Sequence, residues 1–261
     1  MNRDLFKQAC DRVISEARRA GPSQGIGTLG EKTLHAVLKN YFQPDVASQE
    51  LRISGYVADI ITDSGIIEIQ TRNFNALRKK LECFLAQTDV TIVYPIAHTK
   101  WLIWIDETTG EITKKRRSPK VGKPYEVFGE LYRIKNLLCH PKLRLCLVLL
   151  ELEEYRYLNG WSRDKKKGSS RYDRIPVDIT EELHIRTTDE YDKLIPASLT
   201  GDFTSKDFKA ASGLSIYAAQ TALNVLHAVG AVTRTGKKGN AFVYERRSTH
   251  PGQIETAAGT N

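Results

Sequence analysis

The chain has 261 residues, 41% of them hydrophobic, with four cysteines and a formal net charge of +8. That length accommodates one large domain or two modest ones, each with its own core, and the charge favours an anionic partner, nucleic acid foremost. Cys10, Cys83, Cys139 and Cys146 form no C-x-x-C pair and mostly lie in apolar periodic stretches, which argues against disulfides or zinc and for buried thiols in a reducing compartment.

The first twenty residues read as an amphipathic helix without the apolar core of a signal peptide. No apolar run later in the chain reaches a membrane span, so a cytoplasmic protein with no membrane contact is expected. A Gly-rich hinge, 21–27, precedes a second helix over 28–42, with Leu34, Val37, Leu38 and Tyr41 on its apolar face. Thr28 is a candidate N-cap with Glu31 three residues on. Glu31 is therefore either a capping-box acid or a carboxylate aimed at a site on the sheet that follows.

The segment GYVADIITDSGIIEIQTR, 55–72, reads as two strands joined at Asp63, Ser64 and Gly65. Alternation puts Glu68 and Gln70 on one face of the second strand and Ile67 and Ile69 on the other. Pairing across the turn brings Asp59 near Glu68. Two carboxylates this close repel unless a cation sits between them, and a hard divalent ion suits such an oxygen site. The plain alternative is a half-exposed hairpin with polar residues facing water.

A helix from Asn73 to Leu85 is predicted, with Leu77, Leu81, Phe84 and Leu85 inward and Arg78, Lys79 and Lys80 outward. Strands over 90–96 and 100–105, a turn over 106–110 and a return at 111–113 come next. A basic block, 114–120, precedes a helix over 126–138, and the apolar run 143–150 fits a central strand. This order gives an α/β fold around a mixed sheet flanked by helices.

The helix acid, the hairpin Asp and the acid-x-Gln tripeptide Glu68-Ile69-Gln70 resemble the PD-(D/E)XK nuclease superfamily over roughly the first 150 residues. Ala58 stands where the family often has Pro, and Gln70 stands where it usually has Lys, as in the acid-x-Gln variant of some restriction enzymes. The resemblance implies a restriction-endonuclease-like domain over 1–158 with Glu31, Asp59, Glu68 and Gln70 catalytic. It also implies Mg²⁺ or Mn²⁺ held by Asp59, Glu68 and the backbone carbonyl of Ile69. Gln70 would position water but supply no charge. Lys79 or Lys80 could supply it, although solvent exposure is the reading preferred for both. Family nucleases that cut both strands are often dimers, so a homodimer is admitted.

The stretch 161–174, WSRDKKKGSSRYDR, is read as a flexible basic loop within a linker, 159–194. Lys165, Lys166, Lys167 and Arg171 are its candidate phosphate contacts. Beyond it, a short helix ending at Gly213, a longer helix from Ile216 to Val229 and a hairpin with a basic Gly-rich tip resemble a winged helix-turn-helix domain, 195–247. That resemblance implies DNA contact by Ser215, Tyr217 and Gln220 at the start of the second helix and by Arg234, Lys237 and Lys238 in the wing. A disordered tail, 248–261, would follow. The six histidines show no metal-ligand spacing. The function expected is a metal-dependent DNA endonuclease; the alternative is a non-catalytic DNA-binding protein on a degenerate nuclease fold.

Overall fold

Residues 1–19, 30–160 and 170–247 are described in this computed structural model, which divides after Arg186 into two units. In the first unit the helices α1 (Arg3–Arg19) and α2 (Gly30–Phe42) precede a hairpin triplet, β1 (Gln49–Ile53), β2 (Tyr56–Thr62) and β3 (Gly65–Ile69). Helix α3 (Phe74–Leu85) crosses to β4 (Val90–Ile105), and the short β5 (Arg116–Arg117) and α4 (Phe128–Leu131) lead to β6 (Leu143–Tyr157) and β7 (Arg171–Ile185). The sheet runs β1-β2-β3-β4-β6-β7, with β5 paired to β4. Neighbours β3, β4 and β6 are parallel and the other pairs antiparallel. This is the mixed sheet flanked by helices that the element order predicts.

Period-two alternation decides which side chains meet the helices. Cys146, Val148, Leu150 and Leu152 of β6 pack with Ile60, Ile69 and Val93 against Phe6 and Val13 of α1 and Leu34, Val37 and Leu38 of α2. Glu68, between Ile67 and Ile69, takes the opposite side, toward α3. The turn before β3 depends on Gly65, at φ 121°, because a Cβ there would stand 2.3 Å from the Asp89 carbonyl oxygen.

Several boundaries differ from the sequence reading. The two strands expected over 90–96 and 100–105 are one strand, β4, with a register shift between Ala97 and Thr99 that absorbs the break. The helix expected over 126–138 is a chain of short turns around α4, interrupted at Ile134 (φ −118°, ψ 23°). Within the linker expected over 159–194, Arg171–Ile185 is the edge strand β7, paired with β6. Its outward charges mask the buried Ile179 and Ile185 that anchor it. Lys165, Lys166 and Lys167 lie outside the described residues, as does the expected tail.

The second unit begins at Thr187. Its short strand β8 (Phe203–Thr204) leads into α5 (Ser205–Ser212), which opens with a capping box between Thr204 and Asp207 and closes on Gly213 at φ 78°. Ser215 caps α6 (Ile216–Ala228), and β9 (Val232–Lys238) and β10 (Ala241–Arg246) form a hairpin, giving the order β8-β10-β9. Phe208, Ala219, Leu223, Leu226 and Tyr244 build its core. Among the described residues no helix is long and apolar enough to cross a membrane.

Candidate active site

The hairpin brings its two acids together by cross-linking each to the other's strand. Pairing of Ile60 with Ile67 is the last rung on this side of the turn before the strands part. In the opening, Asp59 Oδ2 accepts the Ile69 N–H (2.8 Å), and Glu68 Oε1 accepts the Asp59 N–H (3.2 Å). Each carboxylate therefore replaces a missing ladder hydrogen bond, and neither acid can turn to solvent without leaving a backbone donor unpaired.

Two side chains from the flanking helices complete the cluster. His35 of α2 places Nε2 3.2 Å from Asp59 Oδ2, and Lys80 of α3 places Nζ 2.5 Å from Glu68 Oε2. The preferred reading of Lys80 as a solvent-exposed residue is therefore corrected: its side chain is 17% exposed and its partner Glu68 2%. Lys80 stands three residues after Leu77 and four before Phe84, both buried, so it borders the apolar stripe of α3. That spacing was a signal in the sequence. His35 carried none beyond following Leu34 on an amphipathic helix.

The two acids are electrostatically unequal. Burial pushes Glu68 up to about 7, with the Asp59 charge acting in the same direction and Lys80 opposing both. Burial also pushes Asp59 upward, but the His35 contact, the Ile69 N–H and Lys80 outweigh it and hold the group below the ordinary carboxylate range. A buried acid raised by its neighbour's charge is what a bound cation would relieve.

Gln70 does not join this cluster. Its amide nitrogen donates to the Arg72 carbonyl, with the Asn73 carbonyl at 3.5 Å, so it ties down the turn into α3. Glu31 lies in the first turn of α2 with its side chain outside the described residues. Among the described residues no three His, Cys, Asp or Glu side chains gather as a metal-binding group. The oxygen donors brought together are those of Asp59 and Glu68, and among the described residues Asp59 Oδ1 has no hydrogen-bond partner.

The cysteines divide. Cys10 and Cys146 are buried as expected, whereas Cys83 is half-buried and Cys139 exposed, and no disulfide links any of them. Cys146 Sγ lies 4.0 Å from His184 Nε2, but burial, then the Glu182 charge, raises the thiol to about 12, far from an activated nucleophile.

Of the other expected contacts that fall among the described residues, Arg171 starts β7 and the rest belong to the second unit. Ser215 Oγ is engaged as a helix cap, accepting the Ala218 N–H, while Tyr217 is 79% exposed. Gln220, Arg234 and Lys238 line a groove of about 690 Å³ between α6 and the hairpin, beside Phe242. The Phe242 ring is flanked by the Arg234 guanidinium at 4.2 Å and Lys237 Nζ at 5.1 Å.

A family described as a domain of unknown function, DUF8091, matches residues 32–186. The match takes in His35, Asp59, Glu68 and Lys80, starts one residue after Glu31, and ends where the first unit ends. An uncharacterized protein of Treponema pallidum (strain Nichols) is 29% identical over 229 residues, covering 85% of this chain and 87% of its own. No solved structure matches.

Proposed function

The chain belongs to the DUF8091 family, a family without an assigned activity, and on that premise we propose that it is a metal-dependent endonuclease hydrolysing phosphodiester bonds in DNA. The observation that carries this reading is the cross-linked pair Asp59 and Glu68 with Lys80 ion-paired at its edge. A pure DNA-binding platform gains nothing from two carboxylates that repel a phosphate backbone. Neither does it gain from keeping one of them buried at an energetic cost.

The donor set fits a hard divalent ion. Asp59 and Glu68, with the backbone carbonyl of Ile69, would hold Mg²⁺ or Mn²⁺. Such an ion, when bound, polarises the scissile phosphate and activates water. The chain's own residues do the rest. Asp59 is fixed in orientation by the Ile69 N–H and His35. Lys80 supplies the positive charge that Gln70 cannot, next to the acid whose ionisation is hardest. In this reading the active-site lysine comes from α3 and not from the strand.

The sheet and helix order of the first unit supports a restriction-endonuclease-like fold, and the β8-α5-α6-β9-β10 order of the second supports a winged helix-turn-helix. Tyr217, Gln220, Arg234, Lys237 and Lys238 would meet DNA there. Incubating the purified protein with plasmid, single-stranded and branched DNA in Mg²⁺, Mn²⁺ or EDTA tests the assignment. Nicking or linearisation in metal and none in EDTA is expected, and DNA left intact throughout the metal series would remove the reading.

A further inference from the structure

The groove of about 690 Å³ between α6 and the hairpin of the second unit has walls of different chemistry. On α6, Gln220 stands four residues after Ile216 and three before Leu223, so the helix lines the groove with an amide between two apolar side chains. The hairpin contributes Phe242, 40% exposed, and the buried Tyr244, with ring centroids 6.4 Å apart. The Arg234 guanidinium lies over both rings, 4.2 Å from the Phe242 centroid and 5.7 Å from that of Tyr244. Its Nε donates to the Tyr244 hydroxyl at 3.4 Å, which fixes it there. Lys206 of α5 and Lys238 and Asn240 of the hairpin complete the lining.

We propose that this groove takes an unpaired nucleotide, its base against the Phe242 and Arg234 wall and its phosphate toward Lys206 and Lys238. The proposal rests on the reading that the second unit meets nucleic acid, and not on the metal chemistry of the first. A phosphate needs only cations, and an exposed ring gives it nothing. A paired base inside a duplex has both faces covered by its neighbours in the stack, so it cannot use such a wall either. An unpaired base presents a bare face, which aromatic rings and guanidinium planes both bind. The volume lies within the roughly 300–1,000 Å³ of small-ligand sites. The amides of Gln220 and Asn240 line the groove without a side-chain hydrogen bond among the described residues, which leaves them available to the edge of a base.

The charge of the groove suits the phosphate. Lys206, Arg234 and Lys238 line it and no carboxylate does, nor is any carboxylate of the described residues within ion-pair distance of these three cations. The acids adjoining in sequence are engaged elsewhere. Asp207, which feels the Lys238 charge, accepts from the Thr204 N–H at 2.8 Å and Oγ1 at 2.7 Å, and Asp202 accepts from Thr235 Oγ1 at 3.2 Å. The exposed Tyr217 does not line the groove, so duplex contact by the start of α6 and a nucleotide in the groove are separate uses of this unit.

The test uses the full-length protein in EDTA, so that cleavage plays no part, with a labelled thymidine strand, an abasic strand of equal length and a duplex, each followed by anisotropy. The abasic strand keeps the phosphates and lacks the bases, so the ratio of the two single-strand affinities isolates base contact. The wild type should favour the thymidine strand by about tenfold or more, and Phe242→Ala should cut that ratio about tenfold. Phe242→Leu, which keeps apolar bulk without a ring, should match the alanine variant, and Phe242→Trp should match the wild type. Phe242 also holds Arg234 and Lys237, but any loss of their placement falls on both strands and cancels in the ratio. Thymidine monophosphate, which displaces the strand only if a free nucleotide suffices, separates the two sources of this ligand. An equal ratio in the wild type and the alanine and leucine variants, or a wild type that binds duplex yet does not distinguish the two single strands, would overturn the groove assignment and leave nucleic-acid contact standing. Binding to none of the three probes would remove that contact and the groove assignment together.

Discussion

Lys80 on α3 reaches Glu68 on β3, bringing its ammonium 2.5 Å from a carboxylate that is 2% exposed. The contact joins the helix after the hairpin to the acid within it. It places a positive charge where the tripeptide Glu68-Ile69-Gln70 offers an amide.

The first consequence is a reversal of roles between Lys80 and Gln70. Lys80→Ala should slow DNA cleavage by about 10²-fold or more, the scale of a lost charge-stabilising or proton-handling group. Gln70→Ala should change the rate only a few-fold, since that amide serves the Arg72 and Asn73 carbonyls. The double variant Lys80→Ala/Gln70→Lys, returning a lysine from the strand side, should recover part of the loss. Single-turnover cleavage rates measure all three, and a fully active Lys80→Ala would show that the ion pair is structural.

The sequence carried the frame of this site and missed its closure. Alternation in 65–69 and the Asp63-Ser64 turn fixed the hairpin, its register and the proximity of Asp59 to Glu68, because period-two burial leaves a strand one choice of face. Lys80 was misplaced because a long side chain on the border of an apolar stripe can turn either way, and only the buried charge across the gap selects the inward rotamer. The strand β7 was hidden for a different reason: an edge strand carrying Arg171, Asp173, Arg174 and Asp178 resembles a loop until Glu154 and its pairing partner are known. Gln70 looked catalytic from its position in the motif, yet its partners are the carbonyls of its own turn.

Glu154 on β6, with its side chain 1% exposed and ion-paired to Lys100, Arg156, Arg171 and Arg174, gives a pH dependence with a definite sign. Burial opposes its charge, but Lys100, Arg174 and Arg156 bring Glu154 down to about 2 from its ordinary 4.5. A carboxyl depressed in the folded state stabilises above the unfolded value and loses that contribution as pH falls from about 4.5 through 2. The shift corresponds to roughly 3 kcal/mol. Glu154→Gln should therefore lower unfolding stability by about that amount at pH 7 and by much less near pH 2.5. Urea unfolding at the two pH values reads the difference, and an equal deficit at both would show that the charge of Glu154 is not what holds the cluster.

In the second unit, Arg234 and Lys237 flank the Phe242 ring and are thereby held on the hairpin. If the hairpin is a wing that meets phosphates, Arg234→Ala/Lys237→Ala should weaken duplex binding and reduce the salt slope by about two units, whatever the DNA sequence. Anisotropy in EDTA across a salt series checks this. Unchanged affinity and slope would make the unit a protein-contact module.

If Asp59 and Glu68 together make a metal-dependent phosphodiester hydrolase, plasmid cleavage compared for the wild type, Asp59→Ala and Glu68→Ala, each in Mg²⁺, in Mn²⁺ and in EDTA, depends on both acids and on the metal. The expected result is cutting by the wild type in metal alone and none by either variant, with duplex binding by both variants intact or tighter because each removes a negative charge near phosphate. Cutting by either variant at the wild-type rate, or cutting that persists in EDTA, would show that the two acids are not a metal-dependent catalytic pair.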